Sequence, residues 1–567
     1  MQRLLMLSRL IAVAALLLVS NGTGHRRAVF GRAQAATLAL TTSFQAAESD
    51  STSEVVETVA GVSRPEGSLQ RAPWESDEIR AARILQHLKR REAVATREAE
   101  AAAAWEAVTS GPPTDTAAPS VPEIALPEEP GSDASEFNTL DRNFRNTVAQ
   151  SSSSTLAEPA AAKDFNEILY TGNTYISRSN DSGATFSAES IPVGPAAAPN
   201  ICCDFDAVHH RGLDTTFATG LYLNSSGTRG ITRIFVRKGS ISSGNDCTYL
   251  FDEGVNRVTD YPHIAVSNGF LYLAVNVLDT KGTSSTADDT WVASRVRRYN
   301  ATQMSNCGLV SNSTFSLTPS AGIGQRVFVP VENATTIMYW GANNTSSQFR
   351  IFRWPESSTS VTQTLRSLTH ASLFVNPNCR GGVGNFDFIE KTTAFSIGGF
   401  RLRGAVAAGR VWFLWNVAND SSHPQAHVHS AIFRESDFAL LSTPHVHNST
   451  TCIGYPAITA NSGGDFALTF AAGGDKTPNS GTAAQGFISV DDEDTAGNFF
   501  AAGTLTAQGT HNRSDGRFGD YFTARKNDRC TQNFVVTNYS LLNGNTLPSH
   551  VNARYVEFRS SHDAACP

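Results

Sequence analysis

The chain has 567 residues, of which 40% are hydrophobic and 17% are charged, and its formal net charge at pH 7 is −7. This length suffices for one large domain with appended segments or for two to three domains of average size. The acidic balance excludes the basic surface that nucleic-acid binding requires, and no segment is basic enough to favour an anionic membrane surface.

Residues 1–35 are predicted to be a signal peptide region. Arg3 and Arg9 supply positive charge, and the apolar run of residues 10–19 that follows is shorter than the roughly 20 residues that span a bilayer. Ala33 and Ala35 form a later A-x-A cleavage match. We therefore expect a secreted, extracellular protein without a membrane span.

Residues 36–163 are predicted to be a low-complexity and helical extension and linker. Residues 36–73 are rich in Ser, Thr, Ala and Glu without periodicity, which is typical of disorder. A helix is expected after Ser76, because the stretch to Val108 holds strong helix formers and no Gly or Pro. A Pro-, Ala- and Ser-rich linker then continues to Lys163.

Residues 164–567 have the texture of an all-β domain. Short runs of β-branched and aromatic residues alternate with Gly, Asn, Asp and Ser turns to the end of the chain, and no long helical pattern interrupts them. The clearest predicted strands are ITRIFVRKG (231–239), FLYLAVNV (270–277), IMYWG (337–341), RVWFLWNV (410–417), FALTFAAG (466–473) and NFVVTNYSL (533–541).

Two of these regions read as copies of one unit. The segments that start at Tyr261 and Tyr455 share Y-P-x-I, a Gly turn and an apolar strand. Looser versions start near Asp206, Phe328, Gly404 and Gly519. Such repeats are typical of propeller blades of about 40–50 residues. We predict an all-β fold, a β-propeller of six to eight blades with seven preferred. The ring is expected to close with residues 551–558 beside 167–175, and a pair of β-sandwiches is the alternative.

All eight cysteines lie in the β-rich region, and their even number and wide spacing favour disulfides in an oxidising compartment. Zinc is the rival reading, but no CxxC pair exists. The side chains of Cys202 and Cys203 should leave a strand on opposite faces, so two different partners are expected. N-glycosylation sequons occur at Asn224, Asn312, Asn333, Asn448 and Asn538 among others, so a glycoprotein is possible in a eukaryotic host.

The segment Ser179-Asn-Asp181-Ser-Gly183-Ala-Thr185-Phe186 matches S-x-D-x-G-x-T-[WF]. Asp181 can cap turn amides, Gly183 can adopt positive φ, and Thr185 can begin the next strand. This motif resembles the Asp-box of sialidases and related propellers, where it implies a structural turn on the outer rim. The resemblance stops there, since only one good box is present and the F/Y-R-I-P arginine motif is missing. Sialidase catalytic residues are therefore not transferred, and the rest of the chain resembles secreted bacterial propellers of unassigned activity.

Propellers bind ligands around the axis, where inner strands begin. The polar residues at these positions give the candidate catalytic set: Asp206, Asp260, Tyr261, His263, Arg517 and Asp520, with Asp204, Tyr455 and Tyr521 beside them. Carboxylates from this set suit a glycoside hydrolase, whereas Tyr261 or His263 with Arg517 suits a polysaccharide lyase. The third use is carbohydrate or protein binding without catalysis, with sugars stacked on Trp340, Trp354 and Trp415.

Each of these positions also has a structural interpretation. Aspartates at blade starts often cap turns, and Tyr-Pro before an inner strand often only packs. The motifs His427-Val-His429 and His445-Val-His447 place each pair on one strand face, which allows two-ligand metal clamps, but ordinary loop or surface histidines are favoured. We therefore predict a carbohydrate-active enzyme on an extracellular glycan, with no cofactor and no assigned metal, and a non-catalytic binding propeller as the alternative.

Overall fold

A computed structural model of the protein describes residues 53–55, 61–63, 138–151, 157–285, 288–318, 328–345, 347–368, 379–389, 402–475, 481–490, 503–514, 516, 518–527, 530, 532–542, 550–560 and 563. The predicted signal region and the predicted helix after Ser76 lie outside these residues. The compact unit considered below comprises residues 54–567. In the described part of the chain, no helix has the length and apolar character needed to cross a membrane.

The fold is a seven-bladed β-propeller, as predicted. Three strands precede the first blade in sequence: β1 (Ser53–Val55), β2 (Gly61–Ser63) and β3 (Asn138–Arg145). Blade I contains β4 (Ala160–Asp164), β5 (Glu167–Gly172), β6 (Tyr175–Ser179) and β7 (Ser187–Glu189). Blade II contains β8 (Asn200–His210), β9 (Thr215–Leu223), β10 (Gly230–Lys238) and β11 (Cys247–Asp252). Blade III contains β12 (Arg257–Val266), β13 (Phe270–Asp279), β14 (Thr290–Asn300) and β15 (Val310–Leu317), which pairs with β2.

The second half of the ring follows the same plan. Blade IV contains β16 (Ile337–Thr345), β17 (Gln348–Pro355) and β18 (Val361–Ser367), and a small hairpin of β19 (Arg380–Gly381) and β20 (Phe386–Asp387) follows. Blade V contains β21 (Arg403–Ala407), β22 (Arg410–Val417), β23 (His427–Arg434), β24 (Leu440–Ser442) and β25 (His445–Val446). Blade VI contains β26 (Cys452–Ala460), β27 (Phe466–Gly473), β28 (Gln485–Val490) and β29 (Thr504–Ala507). Blade VII contains β30 (Thr523–Lys526), β31 (Phe534–Leu541) and β32 (Val551–Ser560).

Helices are minor among the described residues. One short helix, α1 (Ala301–Ser305), follows β14, and 3₁₀ turns occupy Thr147–Ser151, Arg211–Leu213 and Ile241–Ser243. The Asn300 side chain accepts a hydrogen bond from the Gln303 amide and so caps α1. The prediction that the β-rich region lacks long helices is confirmed for this part of the chain.

Blade VII closes the ring with a strand from the other end of the chain. β3 pairs antiparallel with β32, which also pairs with β31, so the outermost strand of this sheet comes from residues before blade I. Residues 551–558 do lie beside 167–175, as expected, since Tyr170 Oη donates to the Arg554 carbonyl at 3.2 Å. The two segments do not pair as strands, because β5 is the second strand of blade I. Both β3 and β4 lie in the segment predicted as extension and linker. Ring closure leaves fewer free sheet edges.

The blades are held together by apolar side chains between neighbouring sheets. One core cluster joins blades III, IV and V through stacked and tilted aromatic rings, with the ring centroids of Trp340 and Phe352 5.4 Å apart. Trp340, Trp354 and Trp415 are all 0% exposed, which contradicts their predicted use as sugar-stacking platforms. They are bulky residues on strands whose two faces are both covered by other blades.

The inner strands of blades II, III and VI share one irregularity in their middle part. Register shifts occur between Cys203 and Asp206 in β8, around Tyr261 in β12 and around Tyr455 in β26. Asp204, Tyr261 and Tyr455 have φ of 58°, 54° and 57°, which is uncommon for residues other than Gly. These equivalent bulges confirm that the Y-P-x-I segments are structural repeats.

Three disulfides connect described residues. They are Cys202–Cys203, Cys247–Cys307 and Cys379–Cys452. The expectation of two different partners for Cys202 and Cys203 is wrong, since they bond to each other. That expectation assumed a regular strand, whereas the two bulges in β8 remove the strict alternation of faces here.

The turn between β6 and β7 has the capping hydrogen bonds that were predicted for Asp181. Asp181 Oδ1 accepts a hydrogen bond from the Thr185 amide at 2.9 Å, and Gly183 has φ of 92°. Phe186 packs edge-on against Tyr170 and Tyr555, which anchors the turn to the core between blades I and VII. The hydrogen bonds of Asp181 and the positive φ of Gly183 confirm the prediction for this turn, whereas β7 begins at Ser187 rather than at Thr185. The relation to the Asp-box superfamily stays a prediction.

Candidate active site

Three carboxylates from the inner-strand side of blades VII, I and II meet near the axis. Glu158 precedes β4, Asp204 lies in the bulge of β8, and Asp520 precedes β30. All three side chains are 0% exposed. Each offers a carboxylate oxygen within 4.8 Å of the other two. We call this set the carboxylate triad.

Gly519 makes room for the carboxylate triad. A Cβ at this position would lie 2.6 Å from Tyr539 Oη and 3.2 Å from Cγ of Glu158. Its φ of 103° is also a value that side chains with a Cβ rarely adopt. A glycine here therefore lets the chain of blade VII approach Glu158 closely enough to bring Asp520 beside it.

A second set of charged residues lies deeper in the channel and forms one connected network. Asp206 Oδ1 accepts a hydrogen bond from Arg525 Nη2 at 2.5 Å, and its Oδ2 accepts one from His263 Nδ1 at 3.2 Å. Arg525 Nη1 also donates to Glu332. The Ala207 and Ile264 amides donate to the same aspartate at 2.8 and 3.0 Å. We call His263, Asp206, Arg525 and Glu332 the channel network.

Electrostatics in the channel network set the protonation of each member. Burial alone would raise the pKa of Asp206, but the Arg525 guanidinium and the hydrogen bond from His263 hold it below its usual value. Burial, followed by the charge of Arg403, lowers the pKa of His263 to about 3. Burial raises the pKa of Glu332 to about 7. His263 is therefore neutral near pH 7, and Asp206 is ionised.

The tautomer of His263 follows from this network. An ionised carboxylate only accepts hydrogen bonds, so Nδ1 of His263 carries the proton that Asp206 receives. Nε2 then holds a lone pair; it is buried and makes no hydrogen bond with any residue that the structure describes.

Aromatic and cationic side chains connect the channel network with the carboxylate triad. The ring centroids of Tyr261 and Tyr521 lie 4.3 and 4.8 Å from that of His263. Arg403 Nη2 donates to Tyr261 Oη at 3.1 Å, and its guanidinium lies 5.6 Å from both tyrosine ring centroids. Burial raises the pKa of Tyr521 well above its usual value, and the charges of Asp204 and Glu158 add to this shift. The Tyr521 hydroxyl is thus a protonated donor, here to the carbonyl of Phe205 at 3.0 Å.

The structure brings together most of the residues predicted from sequence. His263 contacts both Asp206 and Tyr261, and Asp520 belongs to the carboxylate triad. Asp260 is buried on β12 opposite Asn276. Arg517 lies outside the described residues.

Four axial residues were missed by sequence reasoning. Glu158 stands in a segment that reads as linker, and Glu332, Arg403 and Arg525 are charged residues in or beside apolar inner-strand segments. A charged residue in such a run is a signal that could have found the last three, because a buried charge needs a partner.

Two cavities lie along the channel. A small one of about 20 Å³ is lined by His263, Asp206, Glu332, Arg403 and Arg525 among others, which suffices for about one water molecule. A larger one of about 380 Å³ lies where the inner strands end, and it is lined mainly by basic and small residues, including Lys163, His209, His210, Arg211 and Lys526. Glu332 of the channel network lines this larger cavity, whereas the carboxylate triad does not.

No protein-family model matches the chain, and no curated protein matches it. Among solved structures, an α-L-arabinofuranosidase from Fusarium graminearum is 8% identical with a TM-score of 0.37, over 75% of this chain and 97% of that one. An α-L-arabinanase from Penicillium chrysogenum is 10% identical with a TM-score of 0.30, over 53% and 92%. A Hadza microbial sialidase is 10% identical with a TM-score of 0.32, over 70% and 73%. At these values no activity or residue role is transferred to this chain.

Proposed function

We propose that the protein is a carbohydrate-active enzyme, a glycoside hydrolase that cleaves an extracellular glycan at the carboxylate triad. The observation that carries the proposal is the convergence of three buried carboxylates, with oxygens within 4.8 Å of one another, at the axial starts of three neighbouring blades. Glycosidases need two carboxyl groups that flank the scissile bond, about 5–5.5 Å apart in retaining enzymes and about 6.5–9.5 Å apart in inverting ones. The short separation favours retention.

In this mechanism one carboxylic acid protonates the glycosidic oxygen while a neighbouring carboxylate attacks the anomeric carbon. The glycosidic bond breaks, and a glycosyl ester forms on the protein. Water then attacks that ester and returns its proton to the first carboxylate. Like charges at short range favour one protonated and one ionised member of a pair, which is the state that the first step requires. Because the triad is buried, the channel mouth must open to admit a sugar.

A polysaccharide lyase is the second candidate, because His263 resembles a general base. Its Nδ1 is hydrogen-bonded to Asp206, and its Nε2 carries a lone pair that can accept a proton. Tyr521 lies nearby as a proton donor, and Arg403 as a cation that could bind a uronate carboxylate. A base is most effective when its pKa lies near the working pH. The lowered pKa of His263, about 3, therefore favours the hydrolase.

The experiment is a glycan panel with two readouts, reducing-sugar release and the ultraviolet absorbance of an unsaturated uronate. The hydrolase proposal expects reducing ends without that absorbance. Glu158→Gln, Asp204→Asn and Asp520→Asn should each lower kcat by at least about 100-fold, the lower end for a lost acid or base. An exposed carboxylate with the same change, Asp437→Asn, is the matched control and should keep full activity.

Two further measurements assign roles within the carboxylate triad. A variant that lost the acid should keep activity on aryl glycosides, whose leaving groups need little protonation. A variant that lost the nucleophile, made as alanine, should recover with azide. Thermal unfolding of every variant separates a lost catalytic group from a lost fold.

Other outcomes of the same panel identify the competing functions. An unsaturated product that His263→Gln and Arg517→Ala each abolish identifies the lyase and contradicts the hydrolase. Binding on a glycan array without any product identifies a lectin-like propeller. Full activity in all three triad variants overturns the proposed site.

A further inference from the structure

A cluster of imidazole side chains lies in the outer part of blade V, away from the inner strands. His423 stands in the connection between β22 and β23, His427 begins β23, and His445 begins β25. β25 pairs with β23, so the cluster joins three separate parts of the chain. The ring of His447 lies 4.5 Å from that of His423, centroid to centroid. Histidines that were predicted to be ordinary loop or surface residues therefore lie together in one cluster. The cluster combines side chains from different strands and a connection, not only a pair on one strand face.

The nitrogens of three rings are close enough to share one ion. His423, His427 and His445 each offer a nitrogen within 4.8 Å of the other two. His427 Nε2 lies 3.0 Å from His445 Nδ1. Around a tetrahedral zinc ion, metal–nitrogen distances of about 2.0–2.1 Å place two ligand nitrogens about 3.3 Å apart. The observed pair therefore needs only a small adjustment.

The second nitrogen of two rings is already committed to an acceptor. His427 Nδ1 donates to the Gln425 carbonyl at 3.2 Å, and His423 Nδ1 donates to Asp420, 3.0 Å from each carboxylate oxygen. Both acceptors leave the Nε2 atoms with lone pairs. Ligating histidines in metal sites are usually oriented in this way by a carboxylate or a backbone carbonyl.

We propose that His423, His427 and His445 bind one transition-metal ion of the zinc class, with Asp420 as the positioning residue of His423. Imidazole ligands suit Zn²⁺, Cu²⁺ and Ni²⁺, whereas Ca²⁺ and Mg²⁺ prefer oxygen ligands. The side chains of His423 and Asp420 keep 16% and 30% exposure, which provides an entry path and a fourth position open to water.

A metal ion bound here would link His423, in the connection after β22, to His445 in the edge strand β25. An ion that binds only the folded chain stabilises it in proportion to the logarithm of its concentration over its Kd. The site is independent of the proposed hydrolase, because it lies on β23 and β25 rather than at the inner-strand starts. If the hydrolase proposal fails, metal binding at the histidine cluster can still be tested, and the converse also holds.

The test uses the full, untagged protein, stripped with a chelator and titrated with Zn²⁺, Cu²⁺, Ni²⁺, Ca²⁺ or Mg²⁺ alone in a calorimeter. We expect one equivalent of Zn²⁺ to bind and to raise the unfolding temperature, with no such effect from Ca²⁺ or Mg²⁺. Bound Co²⁺ should give the visible absorption bands of a tetrahedral site. Asp420→Asn should lower Zn²⁺ affinity by about 10–100-fold, the usual effect of losing the partner of a ligating histidine.

The ligand variants must be separated from folding defects. His427 is fully buried and its loss can unfold the blade, so His423→Gln in the partly exposed connection and His445→Gln are the decisive changes. Each should remove the stoichiometric binding and the Co²⁺ bands, while the protein keeps its unfolding temperature in chelator. His511→Ala, in the connection between β29 and β30, is the control and should bind as the wild type does. Unchanged Zn²⁺ binding in His423→Gln and His445→Gln, or no stoichiometric binding in the wild type, overturns the proposal.

Discussion

Asp181 and Asp206 both accept hydrogen bonds through a carboxylate, but their donors lie at very different distances along the chain. Asp181 accepts hydrogen bonds from Ser179 and Thr185, two and four residues away, and it is exposed. Asp206 accepts from His263 and Arg525, 57 and 319 residues away, and it is fully buried. A turn motif finds the first because all of its partners are local. The contacts of Asp206 form only after seven sheets have closed into a ring, so no local sequence pattern predicts them.

The largest expected loss of stability comes from removing the long-range ion pairs of Asp206. Arg525→Met leaves Asp206 and Glu332 buried without their shared cation, and removal of one partner from a buried ion pair typically costs about 3–5 kcal/mol. Urea unfolding of the variant should show this loss. Arg434→Met, in the exposed pair with Asp437, is the control and should cost at most about 1 kcal/mol. Equal losses in the two variants would mean that the channel network does not stabilise the ring.

The disulfides extend the same comparison of local and distant links. Cys379–Cys452 closes a loop of 73 residues, for which chain entropy predicts about 4 kcal/mol of stabilisation. Cys202–Cys203 closes almost no loop. The double variant Cys379→Ser with Cys452→Ser should therefore lower the urea midpoint far more than Cys202→Ser with Cys203→Ser. A larger loss from the vicinal pair would show that its stabilisation has an origin other than loop entropy.

The pH dependence of stability tests the protonation of the channel network. Folding lowers the pKa of His263 from 6.5 to about 3. Between pH 6.5 and 3, His263 therefore binds a proton in the unfolded chain but not in the folded chain. Stability should fall as pH falls from about 6.5 toward 3, by about 1.4 kcal/mol per pH unit for one proton. His263→Gln should show a shallower slope, measured as urea midpoints at several pH values. Parallel slopes in the two proteins would contradict a buried neutral imidazole.

The smallest expected effect is at the local aspartate. Asp181→Asn keeps the shape of the side chain but weakens the charge-assisted bonds to Thr185, so we expect a loss of about 1 kcal/mol or less. Thermal unfolding measures it. Asp181→Asn should also leave any glycan cleavage unchanged, since the turn lies on the outer strands of blade I. Reduced kcat in this variant would connect the turn to the active site.

Much of the fold was predictable because its signals repeat. The Y-P-x-I segments mark equivalent bulges at Tyr261 and Tyr455, and the alternation of apolar strands and polar turns gave the all-β class. The strands β3 and β4 were missed, since their Ala-, Asn- and Arg-containing sequences are not typical strands and gain their stability from β32 and β5. The direct bond between Cys202 and Cys203 was missed because a bulged strand does not alternate its faces.

The candidate site was predictable only in part. Position at a blade start selected Asp206, His263 and Asp520, because inner strands converge at the axis. Glu158 and Arg525 complete the two axial sets from opposite ends of the chain, and their proximity depends on which blades become neighbours at ring closure. The histidine cluster shows the same limit, since His-x-His spacing predicts pairs on one face and the blade instead joins His423, His427 and His445 across strands.

The central claim is that the carboxylate triad cleaves glycosidic bonds with its carboxyl groups at the short separation. The most direct measurement is the anomeric configuration of the first product, followed by proton NMR on the glycan that the panel identifies. Carboxylate oxygens within 4.8 Å of one another fit the shorter separation of retaining enzymes better than the roughly 6.5–9.5 Å that admits a water in inverting ones, so we predict retention. An inverted first product, or retention that persists in Glu158→Gln, Asp204→Asn and Asp520→Asn at wild-type rates, would contradict it.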